Sequence, residues 1–267
     1  MQSLVLLRRD FFIFMDNTIR MEIQQYLDST YLKTPEQAGL SPEDNHEIVR
    51  NLVGEAIRER FKLVMIRPDH VAFARKLIDD ASSSVAVGTV IDFPKGNGKL
   101  QSKLREAEKA IADGADELDF VSDYEAFVIG DLDSFTEEII QCTRLGLSHL
   151  KIVKWIIEVA ALNNEQIAKI CACIKHVIFD HIPQDQHESV FVKSSTGFFK
   201  TPEGKPNGAT RDSIVIMLEN ASPLPVKAAG GVRSYEEAVE MINLGVKRIG
   251  TSSAKAIADG AGTVGNY

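Results

Sequence analysis

Two lysines stand where apolar runs end. Val190-Phe191-Val192-Lys193-Ser194-Ser195-Thr196-Gly197 leads three apolar residues into one lysine, then into small hydroxyl residues and a glycine. Such a run reads as a short buried strand closed by a turn. A lysine at its end reaches solvent past the strand, pairs with a carboxylate, or sits neutral in a pocket. A neutral lysine in a pocket is a nucleophile toward carbonyls. Pro225-Val226-Lys227-Ala228-Ala229-Gly230-Gly231-Val232-Arg233 repeats the pattern around Lys227. The two lysines are about one βα unit apart, so adjacent parallel strands would bring them face to face. Like charges close together depress an amine pKa.

That pairing fits chemistry through an iminium. A lysine amine condenses with an aldehyde or ketone, and the resulting electron sink lets a nearby C–C bond break or form through an enamine. The route needs one neutral lysine, a second cation or desolvation to keep it neutral, and an acid/base to move protons. Lys193, Lys227 and Asp119 supply this set. The alternative for Asp119 is a strand-end carboxylate paired structurally with a lysine. Glycine-rich turns add a phosphate to the expectation: Gly197, Gly230-Gly231 and Gly250-Thr251-Ser252-Ser253 follow the last three predicted strands. Backbone N–H groups at such turns bind anions. Ser252 and Ser253 could also serve as a helix N-cap, and the two roles are compatible.

The elements that must position these residues alternate between strand and helix. Predicted helices run over Glu43–Arg60, Val71–Ile78, Lys99–Asp113, Asp133–Leu145, Asn164–Phe179, Arg211–Glu219 and Tyr235–Leu244. Strand ends fall near residues 28, 66, 91, 121, 158, 193, 227 and 250, the fifth strand being read as Leu150–Val159. Eight βα repeats over about 250 residues are the size of a (β/α)8 TIM barrel. An open doubly wound sheet is the alternative, but no Gly-x-Gly-x-x-Gly follows the first strand. In a barrel the C-terminal strand ends line the site, which nominates Asp28, Asp92, Asp119, Lys154 with Glu158, Lys193 and Lys227. Asp185-Gln186-His187 reads as a surface loop. The expected organisation is an N-terminal extension over residues 1–20 and one catalytic barrel over 21–267.

Composition excludes other classes. The chain has 267 residues, a net charge of −8 and no basic arm, so a nucleic-acid partner is not expected. Cys142, Cys171 and Cys173 offer neither a disulfide framework nor a zinc-ligand pattern, and the six histidines are scattered. The expectation is no metal and no cofactor, in a reducing cytoplasm. No apolar run reaches the roughly 20 residues of a membrane span. Leu4–Leu7 and Phe11–Phe14 are apolar, but Arg8-Arg9-Asp10 divides them, which argues against a signal-peptide core.

Four stretches together resemble class I deoxyribose-phosphate aldolases: Gly88–Asn97, Gly114–Asp119, Phe191–Gly197 and Val226–Arg233, with Ile249–Ser253 in support. The resemblance runs in order from about Tyr26 to the C-terminus. It implies a (β/α)8 barrel that reversibly cleaves 2-deoxy-D-ribose 5-phosphate into acetaldehyde and D-glyceraldehyde 3-phosphate. It further implies Lys193 as the Schiff-base lysine, Lys227 as the residue that perturbs it, and Asp119 as the proton relay. Asp28 matches a further polar position of the family's first strand. Tyr267 matches a C-terminal tyrosine that assists proton transfer in some members, with a frayed tail as the alternative. Two departures stand out. Glu158-Val159-Ala160-Ala161-Leu162 replaces Glu-Thr-Gly-x-Leu, and Met65 stands where several members have cysteine. The expected partners are phosphorylated sugars and small aldehydes, with no membrane, and a homodimer is the assembly to test. The competing readings are a sugar-phosphate-binding protein without turnover and a Schiff-base aldolase of altered acceptor range.

Overall fold

The structure is a computed structural model and describes residues 23–202 and 204–260. The residues assigned to an N-terminal extension (1–20), and Tyr267, lie outside the described residues.

Eight parallel strands close into a barrel: β1 (Leu27–Thr30), β2 (Leu63–Ile66), β3 (Ala86–Ile91), β4 (Glu117–Val121), β5 (Ile152–Ile156), β6 (Val190–Lys193), β7 (Val226–Ala229) and β8 (Arg248–Thr251). β1 pairs with β2 on one side and β8 on the other, which completes the closure. The strands are short and almost wholly buried, as a sheet covered on one face by helices and filled on the other must be. The helices begin and end on local chemistry. Ser234 caps Tyr235–Leu244 in a capping box with Glu237, and Asn163 caps Asn164–His181 in one with Gln166. Ser41 accepts from the Asp44 amide ahead of the helix Pro42–Glu59.

The structure trims the fifth strand. It was expected over Leu150–Val159 and spans Ile152–Ile156, because Leu150 (φ 59°) and Glu158 (φ 54°) both take left-handed backbone that a strand excludes. Val159–Ala161 then forms a 3-10 turn. Asp185-Gln186-His187 is not an open surface loop. It lies in the 3-10 segment Gln184–Ser189, with His187 buried and its Nε2 2.9 Å from the Ile182 carbonyl. The short helix Tyr124–Ile129 was not anticipated; Asp123 caps it by accepting from the Ala126 amide.

The barrel interior is divided. Leu63, Met65 and Val90, with Leu32 above them, make an apolar side on β2 and β3. Charged side chains from the other six strands fill much of the rest. Outside the barrel, Lys103 is buried under the loop after β3. Its Nζ donates to the carbonyls of Gly96 (2.5 Å) and Val121 (2.9 Å) and to Glu138 (2.8 Å), with Asp92 at 3.4 Å. Asp92 in turn accepts from the Gly98 amide at 2.7 Å. Asp92 was nominated as lining the site; it instead faces Lys103 and ties down the loop. Lys103→Met should therefore lower stability by about 3–5 kcal/mol, since two carboxylates and two carbonyls lose their partner. The urea midpoint measures this, and an unchanged midpoint would contradict it.

Candidate active site

Alternation along each strand puts every second residue inside the barrel. On β4 this selects Glu117 and Asp119, on β5 Lys154, on β6 Lys193, on β7 Lys227, on β8 Arg248 and on β1 Asp28, all buried. Their charges connect in order. Glu117 Oε2 lies 2.5 Å from Lys154 Nζ, which donates to Asp119 Oδ1 at 2.7 Å. Asp119 Oδ2 accepts from Lys227 at 3.0 Å, and Lys227 reaches Asp28 Oδ2 at 2.6 Å. Arg248 donates to Asp28 Oδ1 (2.5 and 2.8 Å) and to Glu117 Oε1 (3.0 Å), returning to the start. Three carboxylates and three cations alternate around this closed ring. Lys193 is the seventh group: its Nζ donates to Asp119 Oδ2 at 2.8 Å, beside Lys227.

The ring is neutral without Lys193. Protonating Lys193 adds a positive charge to this buried group. Burial pushes the Lys193 amine down to about 8; Asp119 opposes this, and Lys227 and then Lys154 add to it. Repulsion between the two lysines is therefore real but second to desolvation. For Asp119, burial acts upward and is outweighed by Lys154, Lys193 and Lys227, so its carboxyl lies well below the usual range. Asp28 behaves likewise, burial being overcome chiefly by Arg248 and Lys227. Lys227 and Lys193 are directly paired in register on neighbouring strands. Space for the Lys227 stem comes from Gly250, where an added Cβ would lie 3.1 Å from Lys227 Cε.

Above the ring opens a pocket of about 270 Å³. Its floor includes Lys193. Thr196, Gly197, Gly230, Gly250, Ser252 and Ser253 line its wall. Asp28 was nominated as lining the site and expected to bind substrate; it lies beneath this pocket, fully buried in the ring. Gly231 is likewise not on the wall. It turns at φ 89°, with Ala209 O 3.1 Å from where its Cβ would be, so a side chain there is strained regardless of any ligand. The Gly197 amide donates to Ser195 Oγ at 2.9 Å, and the Ser253 amide donates to Thr251 Oγ1 at 3.0 Å. Ser253 precedes the helix Ala254–Ala258, but its side chain makes no capping bond.

Several pocket residues escaped the sequence reading. Lys33 and Arg233 bring positive charge to the wall. Arg233 closes the Val226–Arg233 stretch, two residues past the glycines, and a cation at that spacing was the available signal. Phe198 packs edge-on to Phe93 at 5.0 Å, and Arg67 sits over the Phe93 ring at 4.8 Å. Glu117 and Arg248 each stand two residues before a nominated or glycine position on the same strand, and that period-two spacing was the available signal. Glu158 is buried. Its carboxylate accepts from the Thr196 hydroxyl and, at 3.2 Å, from the Thr196 amide, holding the turn that follows Lys193. The departure at Val159-Ala160 lies beside a separate depression with Thr201, Pro206 and Thr210, not on the Lys193 pocket.

Comparison with known proteins agrees with this geometry. The family signature described as DeoC/LacD family aldolase matches residues 23–264. A deoxyribose-phosphate aldolase of Thermococcus gammatolerans is 36% identical over 244 residues, covering 91% of this chain and 98% of its own. One from Streptococcus suis is 36% identical over 248 residues, covering 92% and 100%. Among solved structures, the tetrameric deoxyribose phosphate aldolase from Aeropyrum pernix superposes with a TM-score of 0.72 at 28% identity, covering 90% of this chain and 91% of its own. An aldolase designated QR15 gives 0.73 at 31% identity, covering 89% and 95%. With its signature matched across nearly the whole barrel, the chain belongs to the DeoC/LacD family of aldolases.

Proposed function

We propose that the protein is a Schiff-base aldolase that reversibly cleaves 2-deoxy-D-ribose 5-phosphate into acetaldehyde and D-glyceraldehyde 3-phosphate. The observation that carries the reading is a buried lysine amine lowered to about 8, at the floor of a pocket and outside an already neutral ring. Lys193 attacks the aldehyde carbon of the open-chain sugar, and loss of water leaves an iminium. The β-hydroxyl gives up its proton, the bond between the α and β carbons breaks, and its electron pair forms the enamine. The phosphorylated aldehyde departs. Protonation of the enamine and hydrolysis then release acetaldehyde and the free amine.

Asp119 and Lys227 serve this sequence together. Asp119 Oδ2 accepts from both Lys193 and Lys227, so a proton can pass between the two amines at one oxygen. Lys227 also keeps a positive charge beside Lys193, which favours the neutral amine. In the phosphate role we place Gly230 and the turn Gly250–Ser253, with Arg233 and Lys33 as the nearby positive charges. Gly197 shapes the wall. A contribution of Tyr267 to proton transfer belongs to the same reading.

Borohydride trapping in the presence of substrate, followed by peptide mass mapping, tests the proposal. The reduced adduct is expected on Lys193; an adduct on Lys227 would reverse the assignment. The phosphate placement has its own check. Ser253→Asp sets a negative charge against the anion and should raise KM for the phosphorylated sugar at least about tenfold. Unphosphorylated 2-deoxyribose should be little affected, and equal losses on both would point to folding instead.

No helix among the described residues is long and apolar enough to cross a membrane. A cytoplasmic homodimer accompanies the proposed function. The exposed apolar group Val128, Ile129 and Leu132 is a surface that such a contact could cover, and light scattering measures the assembly.

A further inference from the structure

We propose that Glu117 and Arg248, which line no part of the pocket, are positioning residues that set the acidity of the Lys193 amine by closing the charge ring beneath it. The inference rests on the reading of Lys193 as the Schiff-base lysine. It concerns how the rest of the barrel makes that lysine usable.

Both residues are deep in the barrel. Glu117 and Arg248 are each two positions nearer the N-terminal end of their strand than Asp119 and Gly250. Arg248 bonds to Asp28 and to both oxygens of Glu117 (3.0 and 3.2 Å). Without this link the alternation of charge would stop at Asp28 on one side and Lys154 on the other. With it, every carboxylate oxygen of the ring faces a cation, and the count of three negative and three positive charges is complete.

The consequence follows from charge balance in a medium that screens poorly. A neutral ring offers Lys193 no net countercharge, although Asp119 touches it, because Lys154 and Lys227 already share that carboxylate. The groups around Lys193 are Asp119 and Glu117 from β4, Lys154 from β5, Glu158 after β5, Lys227 from β7, Arg248 from β8 and Asp28 from β1. β2 and β3 present only Leu63, Met65 and Val90. Lys33 and Arg233 stand at the pocket wall. Removing the Arg248 charge leaves the ring at one net negative, and protonated Lys193 becomes its missing partner. Removing the Glu117 charge leaves the ring at one net positive, and protonation of Lys193 is opposed further.

The test is the pH dependence of kcat/KM, whose acid limb reports the free enzyme's essential base. Arg248→Met should move that limb up by about one pH unit. Glu117→Gln, nearly isosteric, should move it down by a comparable amount. The double variant restores a neutral ring and should return the limb close to wild type. Arg248→Lys keeps the charge and should move it least. Limbs that stay in place in both single variants, or that move in the same direction, would overturn the inference. If Arg248→Met fails to fold by circular dichroism, Glu117→Gln decides alone: a downward shift supports the ring, and an upward or absent shift overturns it. Trapping of the wild-type adduct separates the two levels. An adduct elsewhere than Lys193 sinks the functional reading, whereas an adduct on Lys193 with unmoved limbs sinks only the role of the ring.

Discussion

Lys193→Met should lower kcat by about 10⁴-fold or more while leaving the protein as stable as wild type, or more so. The first half follows from the loss of the pocket-floor amine proposed to form the covalent intermediate. Lys227 and Lys154 each lie between two carboxylates of the ring, Asp28 with Asp119 and Glu117 with Asp119. The second half is the less familiar one. Removing one member of a buried ion pair usually costs about 3–5 kcal/mol, because an uncompensated charge is left behind. Here nothing is left uncompensated. Asp119 keeps two ammonium partners, and methionine fills the lysine's volume without asking for water. The contrast with Lys227→Met makes the measurement decisive. That variant removes a ring member and takes from Asp28 Oδ2 its cation, so it should lose several kcal/mol. Urea unfolding of the two variants side by side checks the difference. Equal destabilisation would mean that Lys193 is a structural member of the network and not its surplus charge.

The same distinction explains what the sequence made legible and what it did not. Lys193 and Lys227 were conspicuous because a charge stands at the end of an apolar run, which local patterning rejects unless something compensates. The strand order could be read for the same reason. Each β-type run is short and followed by a helix, side-chain capped in several cases, as in Ser234–Leu244. The compensation itself was hidden. Asp28 and Arg248 are 220 residues apart in sequence and bond to one another, and only closure of the barrel brings β8 against β1. Asp28 therefore looked like a pocket residue when it belongs to the ring. Asp92 misled for a different reason. It follows β3 directly, but its left-handed backbone (φ 53°) turns it toward Lys103. Strand-end position says which residues are near a site; the backbone angle at the end decides which way they face.

Asp119→Asn should separate the charge held by this carboxylate from the protons it passes. Asp119 is bonded to three ammonium groups, more than any other acid in the interior. Neutralising it leaves Asp28 and Glu117 against Lys154, Lys227 and Arg248, an excess of one positive charge before Lys193 is counted. Protonation of Lys193 is then disfavoured more strongly, so its pKa falls below about 8. Imine formation, followed by borohydride trapping across pH, should consequently extend to lower pH in the variant. Turnover should still drop by about 10²–10⁴-fold, the usual span for loss of an acid/base group. A variant that traps substrate readily yet turns over slowly would mark Asp119 as the relay between the two amines. If trapping and turnover decline together, Asp119 acts mainly by holding Lys193 in place. Stability gives an independent sign. A carboxyl whose folded pKa lies below the 3.8 of its free form contributes stability at pH above that value, lost as pH falls toward the folded pKa. The wild type should therefore exceed the Asn variant by about 3–5 kcal/mol at neutral pH, and the gap should narrow as pH is taken below about 4. A gap that stayed constant over that range would show that the asparagine costs stability through packing and not through charge.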